Sequence, residues 1–155
     1  MRRHKSLLKT QKYRVLGIFQ LEDVLPYAVE DYNRLKMYIA DGQAYSVKMI
    51  SSRYHLFAKN NKCVSCGLEG MFMKLERCTD NERPHFNMYG MKDGREVLFT
   101  QDHIRPLSAG GRDHFFNLQT MCFECNMLKQ SSLLGKEELS SLKSVQDWLV
   151  RNEDG

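Results

Sequence analysis

Apolar positions change their spacing along the chain, and the change separates a helical first part from a strand-rich middle. Ala28, Tyr32, Leu35 and Ile39 recur at intervals of three and four, the stripe of an amphipathic helix over Tyr27–Ile39. Asp41-Gly42 follows as its terminator, since glycine tolerates a left-handed cap. Val47, Ile50, Tyr54 and Phe57 share one face of a second expected helix over Tyr45–Ala58, and Asn60-Asn61-Lys62 is a turn leading to Cys63. The aromatics of both segments are expected in a core. Before them, Tyr13–Phe19 is a short apolar-leaning run that fits a strand or a packing segment.

From Met71 the period shortens. Phe72–Arg77 and His85–Met91 are expected strands separated by Asp80-Asn81-Glu82-Arg83-Pro84. Lys92-Asp93-Gly94 makes a tight turn into a third strand, Glu96–Thr100, which runs directly into Gln101-Asp102-His103. Gly110-Gly111 and Arg112-Asp113-His114 form a loop, Asn117–Met121 a brief strand, and Cys122–Gln130 opens a helix. Leu139, Leu142, Val145, Trp148 and Leu149 mark the buried stripe of a last helix over Lys136–Arg151.

With 155 residues the chain has the size of one domain, and its 42% apolar content is low enough that a metal staple would help it fold. Three regions are expected within it: a basic arm and helical region over 1–62, a metal-stapled core over 63–130, and a C-terminal helix over 131–155 that packs on the core. The net charge of +4 is too mild to name a partner, but its distribution is uneven. Arg2, Arg3, Lys5, Lys9, Lys12 and Arg14 precede any acid, which suits phosphate contacts without sequence information, or simply a solvated terminus. No run of 18 apolar residues is present, so no spanning helix and no membrane partner are expected, and the start does not read as a secretory signal.

Four of the five cysteines form two Cys-x-x-Cys pairs, Cys63/Cys66 and Cys122/Cys125. Two such knuckles indicate tetrahedral zinc in a reducing, cytoplasmic compartment rather than disulfides, and a closed shell of four thiolates makes the metal structural. Cys78 stands outside the pattern. The alternative reading of the pairs, a redox function, is disfavoured because there are two of them.

The run Asp102-His103-Ile104-Arg105-Pro106-Leu107-Ser108-Ala109-Gly110-Gly111, then Asn117-Leu118, then Cys122-x-x-Cys125-Asn126-x-x-Lys129, resembles the HNH endonuclease family, in particular its cysteine-bearing branch. The resemblance covers Cys63 to Lys129. It implies an α+β fold: an HNH beta-beta-alpha-metal core with a four-cysteine structural zinc site and flanking helices. It also implies a metal-dependent endonuclease hydrolysing DNA phosphodiesters to 5′-phosphate and 3′-hydroxyl ends. On the matching positions, Asp102 and Asn126 would hold the catalytic divalent ion, His103 would be the general base, and Asn117 would brace the loop and orient the base. Asn126 stands where many members have histidine.

The chemistry agrees. An imidazole titrating near neutrality can accept a proton from water, oxygen ligands favour magnesium or manganese, and adjacent residues on an extended strand point apart, so Asp102 and His103 can serve different partners. Lys129, Arg105 and Arg112 are candidate phosphate contacts, while His114 and His85 fit no required role. One such centre cuts one strand, so a double-strand break would need a homodimer or a partner subunit. The competing reading is a non-catalytic zinc-dependent nucleic-acid-binding module; a protein-interaction module is weaker still.

Overall fold

The computed structural model describes residues 13–28 and 34–132. Among the described residues, seven strands form two antiparallel sheets. The larger has the order β1-β4-β5-β6-β7, from β1 (Arg14–Gln20), β4 (Phe72–Arg77), β5 (His85–Lys92), β6 (Arg95–His103) and β7 (Leu118–Cys122). The smaller is a hairpin of β2 (Leu35–Ala40) and β3 (Gln43–Lys48). Two helices are described, α1 (Ser52–Lys59) and α2 (Phe123–Ser132), the latter following β7 without a loop. The protein is thus a strand-rich α+β fold.

The middle strands form where their alternation predicts. Met73 and Leu75 of β4 face Met88 and Phe86 of β5 in register, and all four are fully buried with Val97 and Phe99 of β6. Tyr54 and Phe57 of α1 and Tyr38 and Val47 of the hairpin close the same core. Its centre is aromatic: Phe86 packs edge-to-face on Tyr38 at 4.8 Å and on Phe19 at 5.5 Å, a favoured geometry for ring quadrupoles.

The large sheet forks at its middle. Pairing of β5 with β6 runs only from Tyr89↔Leu98 to Lys92↔Arg95, after which β6 pairs with β7 alone, from Phe99↔Cys122 to His103↔Leu118. Backbone groups of Phe86, beyond the last β5–β6 pair, are satisfied by α1 instead: its N–H donates to Tyr54 Oη at 2.8 Å and its carbonyl accepts from Arg53 Nη2 at 2.9 Å. The fork frees the end of β6, which carries Asp102 and His103, to form a separate unit with β7 and α2.

The first part of the chain differs from the expected helices. Leu35–Ile39, assigned by periodicity to the helix over Tyr27–Ile39, belongs to β2, and the first part of the expected helix over Tyr45–Ala58 is β3; only Ser52–Lys59 is helical there. Where it is described, the region over 1–62 therefore holds three strands and one short α-helix in place of two helices. Leu35 and Ile39 are four apart both on a helix stripe and on one strand face. Here they lie with Met37 on the exposed face of the hairpin, while Tyr38 and Ala40 point inward. Asp41 and Gly42 both have positive φ, 54° and 75°, which is a two-residue hairpin turn of the primed type and not a helix cap. The basic arm up to Lys12, Tyr32, and the helix expected over Lys136–Arg151 lie outside the described residues. No described helix is long and apolar enough to cross a membrane.

Candidate functional site

The two cysteine pairs, 56 residues apart at their nearest, meet at one point. The first knuckle leaves the turn after α1 and is strapped to β7 by Val64 N–H donating to Thr120 O at 3.0 Å, while the Thr120 hydroxyl donates to Asn60 O at 2.7 Å. The second knuckle is the junction of β7 and α2. The sulfur atoms of Cys63, Cys66, Cys122 and Cys125 all lie within 4.8 Å of one another, with Cys66 and Cys122 3.8 Å apart. Zinc–sulfur bonds of about 2.3 Å give a tetrahedron with edges of about 3.8 Å, so the cluster fits a zinc-type ion after a contraction of at most about 1 Å.

Burial pushes the Cys63 thiol up, but backbone N–H groups of Cys66, Cys122 and Ser65 outweigh it and bring this thiol down to about 7. Burial raises Cys122 and Cys125, so a metal entering the cluster displaces protons from them.

A second network ties α2 to β6. Asp102 is only 6% exposed, and its Oδ2 accepts from Gln119 Nε2 at 2.9 Å and from Lys129 Nζ at 2.5 Å. Lys129 also donates to His103 O at 2.7 Å, which pins α2 to the end of β6. One helical turn earlier, Asn126 Nδ2 donates to Thr100 Oγ1 at 2.8 Å, and the Thr100 hydroxyl donates to Met121 O at 3.0 Å. Because the Thr100 proton is already committed, its oxygen can only accept from Asn126, and this fixes the orientation of the amide. Asn126 Oδ1 is left buried with no hydrogen-bond partner. Such an orphaned oxygen is costly unless something positive meets it. The Asn126 amide oxygen on α2 and the Asp102 carboxylate on β6 are both hard oxygen donors, the class that suits magnesium or manganese.

The His103 ring is engaged by the loop that follows β6. Its Nε2 lies 2.8 Å from Asp113 Oδ1. A carboxylate only accepts, so the Nε2 position carries the proton and Nδ1 of the neutral ring can accept one. Asn117 braces the intervening loop at both ends: Oδ1 accepts from Arg105 N–H at 2.9 Å, while Nδ2 donates to Arg105 O at 3.0 Å and to Arg112 O at 2.7 Å. The loop is tight enough that a Cβ on Gly111 would stand 1.9 Å from Arg105 O, so only glycine fits there.

The expected residues divide accordingly. Asp102 and Lys129 meet where α2 packs on β6, with Lys129 turned inward onto the carboxylate, and Asn126 reaches the same strand at Thr100. His103 and Asn117 belong to the loop side. Arg105 folds back, its Nε donating to Ala109 O at 2.9 Å, whereas Arg112 is exposed. His85 lies elsewhere, edge-on to the Tyr13 ring at 5.5 Å. Sequence reasoning missed Thr100, Gln119 and Asp113. The first two follow from strand register, being two residues before Asp102 and opposite it, respectively. Asp113 carries no sequence signal beyond its place in the loop.

Residues 88–137 match the family model described as HNH endonuclease. The matched segment spans Asp102 to Lys129 and the second cysteine pair, and leaves Cys63 and Cys66 outside it. The match supports the family resemblance read from the motif, and with it a nuclease-type activity on a nucleic-acid substrate. No curated protein and no solved structure matches the chain.

Proposed function

We propose that this HNH-family chain is a metal-dependent DNA endonuclease whose beta-beta-alpha-metal core is the β6–β7–α2 unit. The observation that carries the reading is the buried, unpartnered Oδ1 of Asn126, fixed in orientation through Thr100 on the strand that bears Asp102. Asp102 and Asn126 would hold the catalytic ion, and Cys63, Cys66, Cys122 and Cys125 a structural zinc that anchors the start of α2. The divalent ion would supply charge neutralisation at the phosphoryl and departing 3′ oxygens.

The chain's own groups do the rest. His103 accepts a proton from the attacking water at Nδ1, while Asp113 holds the ring by Nε2 and stabilises the imidazolium that forms. Asn117 keeps the loop that carries Asp113 closed against His103. Lys129 offsets the charge of Asp102 in the free protein, and Arg112 meets the DNA backbone from the exposed side of the loop; Arg105 shapes the loop through Ala109. Cleavage leaves 5′-phosphate and 3′-hydroxyl ends, and one centre cuts one strand, so double-strand scission needs a second copy or a partner subunit.

Supercoiled plasmid DNA incubated with the protein and Mg2+ or Mn2+ tests the reading. Nicked circles should form, should not form in EDTA, and should be resealed by DNA ligase without prior phosphorylation. Salt-sensitive binding with no nicking in either metal would favour a binding module, and nicks that ligase cannot seal would overturn the assigned ends.

A further inference from the structure

The loop that holds His103 also forms a recess that the hydrolytic reading does not use. Ile104, Arg112, His114, Phe116 and Asn117 line an open cavity of about 420 Å³, within the range of small-molecule sites (~300–1,000 Å³). Phe116 is 79% exposed and Ile104 53% exposed. Isolated exposed apolar residues are ordinary, but these two converge on one recess with an arginine and a histidine.

Phe116 is also held in place. The His114 ring stacks on it at 5.1 Å with planes 20° apart, and Phe115 meets it edge-on at 6.4 Å. Its backbone N–H donates to His114 Nδ1 at 3.3 Å, so the side chain of His114 caps the turn that presents the ring. The recess adjoins the proposed base directly. Ile104 follows His103 in the chain, its N–H donates to Asn117 O at 2.7 Å, and Asp113, the partner of His103, lies between Arg112 and His114.

We propose that this recess takes one unstacked nucleobase of the DNA strand next to the scissile phosphate, stacked on Phe116, with Arg112 on the adjoining phosphate. The inference rests on the nuclease reading of the same site and names its substrate class. An aromatic face offers a base what its neighbours in the duplex offered, independent of sequence, and an exposed cation beside it matches the backbone charge. A base within an intact duplex has both faces covered, so only an unpaired, frayed or extruded base can use the recess. The enzyme therefore prefers DNA that is unpaired or distorted at the cut over fully paired DNA. The carboxylate of Asp113 faces the same loop, but it is engaged by His103.

The test uses two DNA duplexes of the same length, one fully paired and one with a short unpaired bubble carrying 2-aminopurine. With Mn2+, the wild-type protein should cut the bubble about tenfold faster than the paired duplex, a factor within the range of one base–aromatic stack. Phe116→Ala should bring that ratio to about one, and Phe116→Trp should keep it. Because Phe116 is exposed, neither change touches the core. In metal-free buffer, binding should quench 2-aminopurine fluorescence with wild type and F116W but not with F116A, whether or not the DNA is cut. Absence of cleavage with the quenching pattern intact would sink the nuclease reading and leave the base site standing. Equal quenching by wild type and F116A, or an unchanged cleavage ratio in F116A, would overturn the base site.

Discussion

Replacing Asn117 by alanine isolates the loop's contribution to the site. The change removes three side-chain hydrogen bonds, to Arg105 N–H, Arg105 O and Arg112 O, and leaves the backbone bond from Ile104 N–H to Asn117 O in place. Each such bond contributes about 0.5–1.5 kcal/mol net. Asn117 is half-buried, so the lower part of that range applies and the loss is roughly 2 kcal/mol. The bonds close a loop rather than the core, so the loss falls on the closed state of residues 105–113, shifting its equilibrium by about 30-fold. Asp113 leaves His103 when the loop opens. Single-turnover cleavage by N117A should therefore slow by about 10- to 30-fold, with zinc content unchanged. Amide hydrogen exchange should accelerate in the loop and not in β4 or β5. Asn117→Asp should be at least as slow, because a carboxylate oxygen would face two carbonyls. Faster exchange in the loop with a wild-type cleavage rate would refute the claim that the loop positions His103.

The other consequences concern the metals and the core. Cys122→Ser should abolish zinc retention and, for a loss of about 3 kcal/mol, lower the thermal midpoint by about 10 °C; a strong chelator should shift the wild type similarly and leave C122S unmoved. Lys129→Met leaves the buried Asp102 carboxylate without its ammonium, so urea unfolding in metal-free buffer should show a loss of about 3 kcal/mol that millimolar Mn2+ partly restores; an unchanged midpoint would mean the pair adds nothing to the fold. Burial, with Arg53 nearby, holds the His85 imidazole below its ordinary value of 6.5. Its contribution to stability is thus complete above that value and lost as pH falls through the lower folded value, because the unfolded chain then binds the additional proton. Between pH 7 and pH 5 the urea midpoint of wild type should fall more steeply than that of His85→Gln, and parallel slopes would contradict the assignment.

The distribution of sequence signal explains which features were legible. The segment from Glu96 to Lys129 could be read because its chemistry is local: a strand delivers Asp102 and His103, and a helix opens on Cys122 with Asn126 and Lys129 at helical spacing. The two knuckles announced their own meeting, since four thiols in two pairs have few other uses. The hairpin at Leu35–Lys48 was misread because Leu35 and Ile39 satisfy the helical and the strand period equally. The Asp41-Gly42 pair, a strong hairpin signal, could have decided between them. Asp113 and the inward turn of Lys129 were beyond reach in the sequence, because both depend on where a loop and a helix end come to rest. The fork at Phe86 was hidden for the same reason: Arg53 and Tyr54 of α1 meet a strand more than thirty residues away.

The central claim is that His103 removes the proton from the attacking water at a metal site built by β6 and α2. It is tested most directly by comparing wild type and His103→Ala, matched for zinc content, in single-turnover nicking of supercoiled DNA with Mn2+. Wild type should nick, and H103A should nick at least about a hundredfold more slowly while binding the same DNA. An H103A protein that nicks at the wild-type rate would contradict the account.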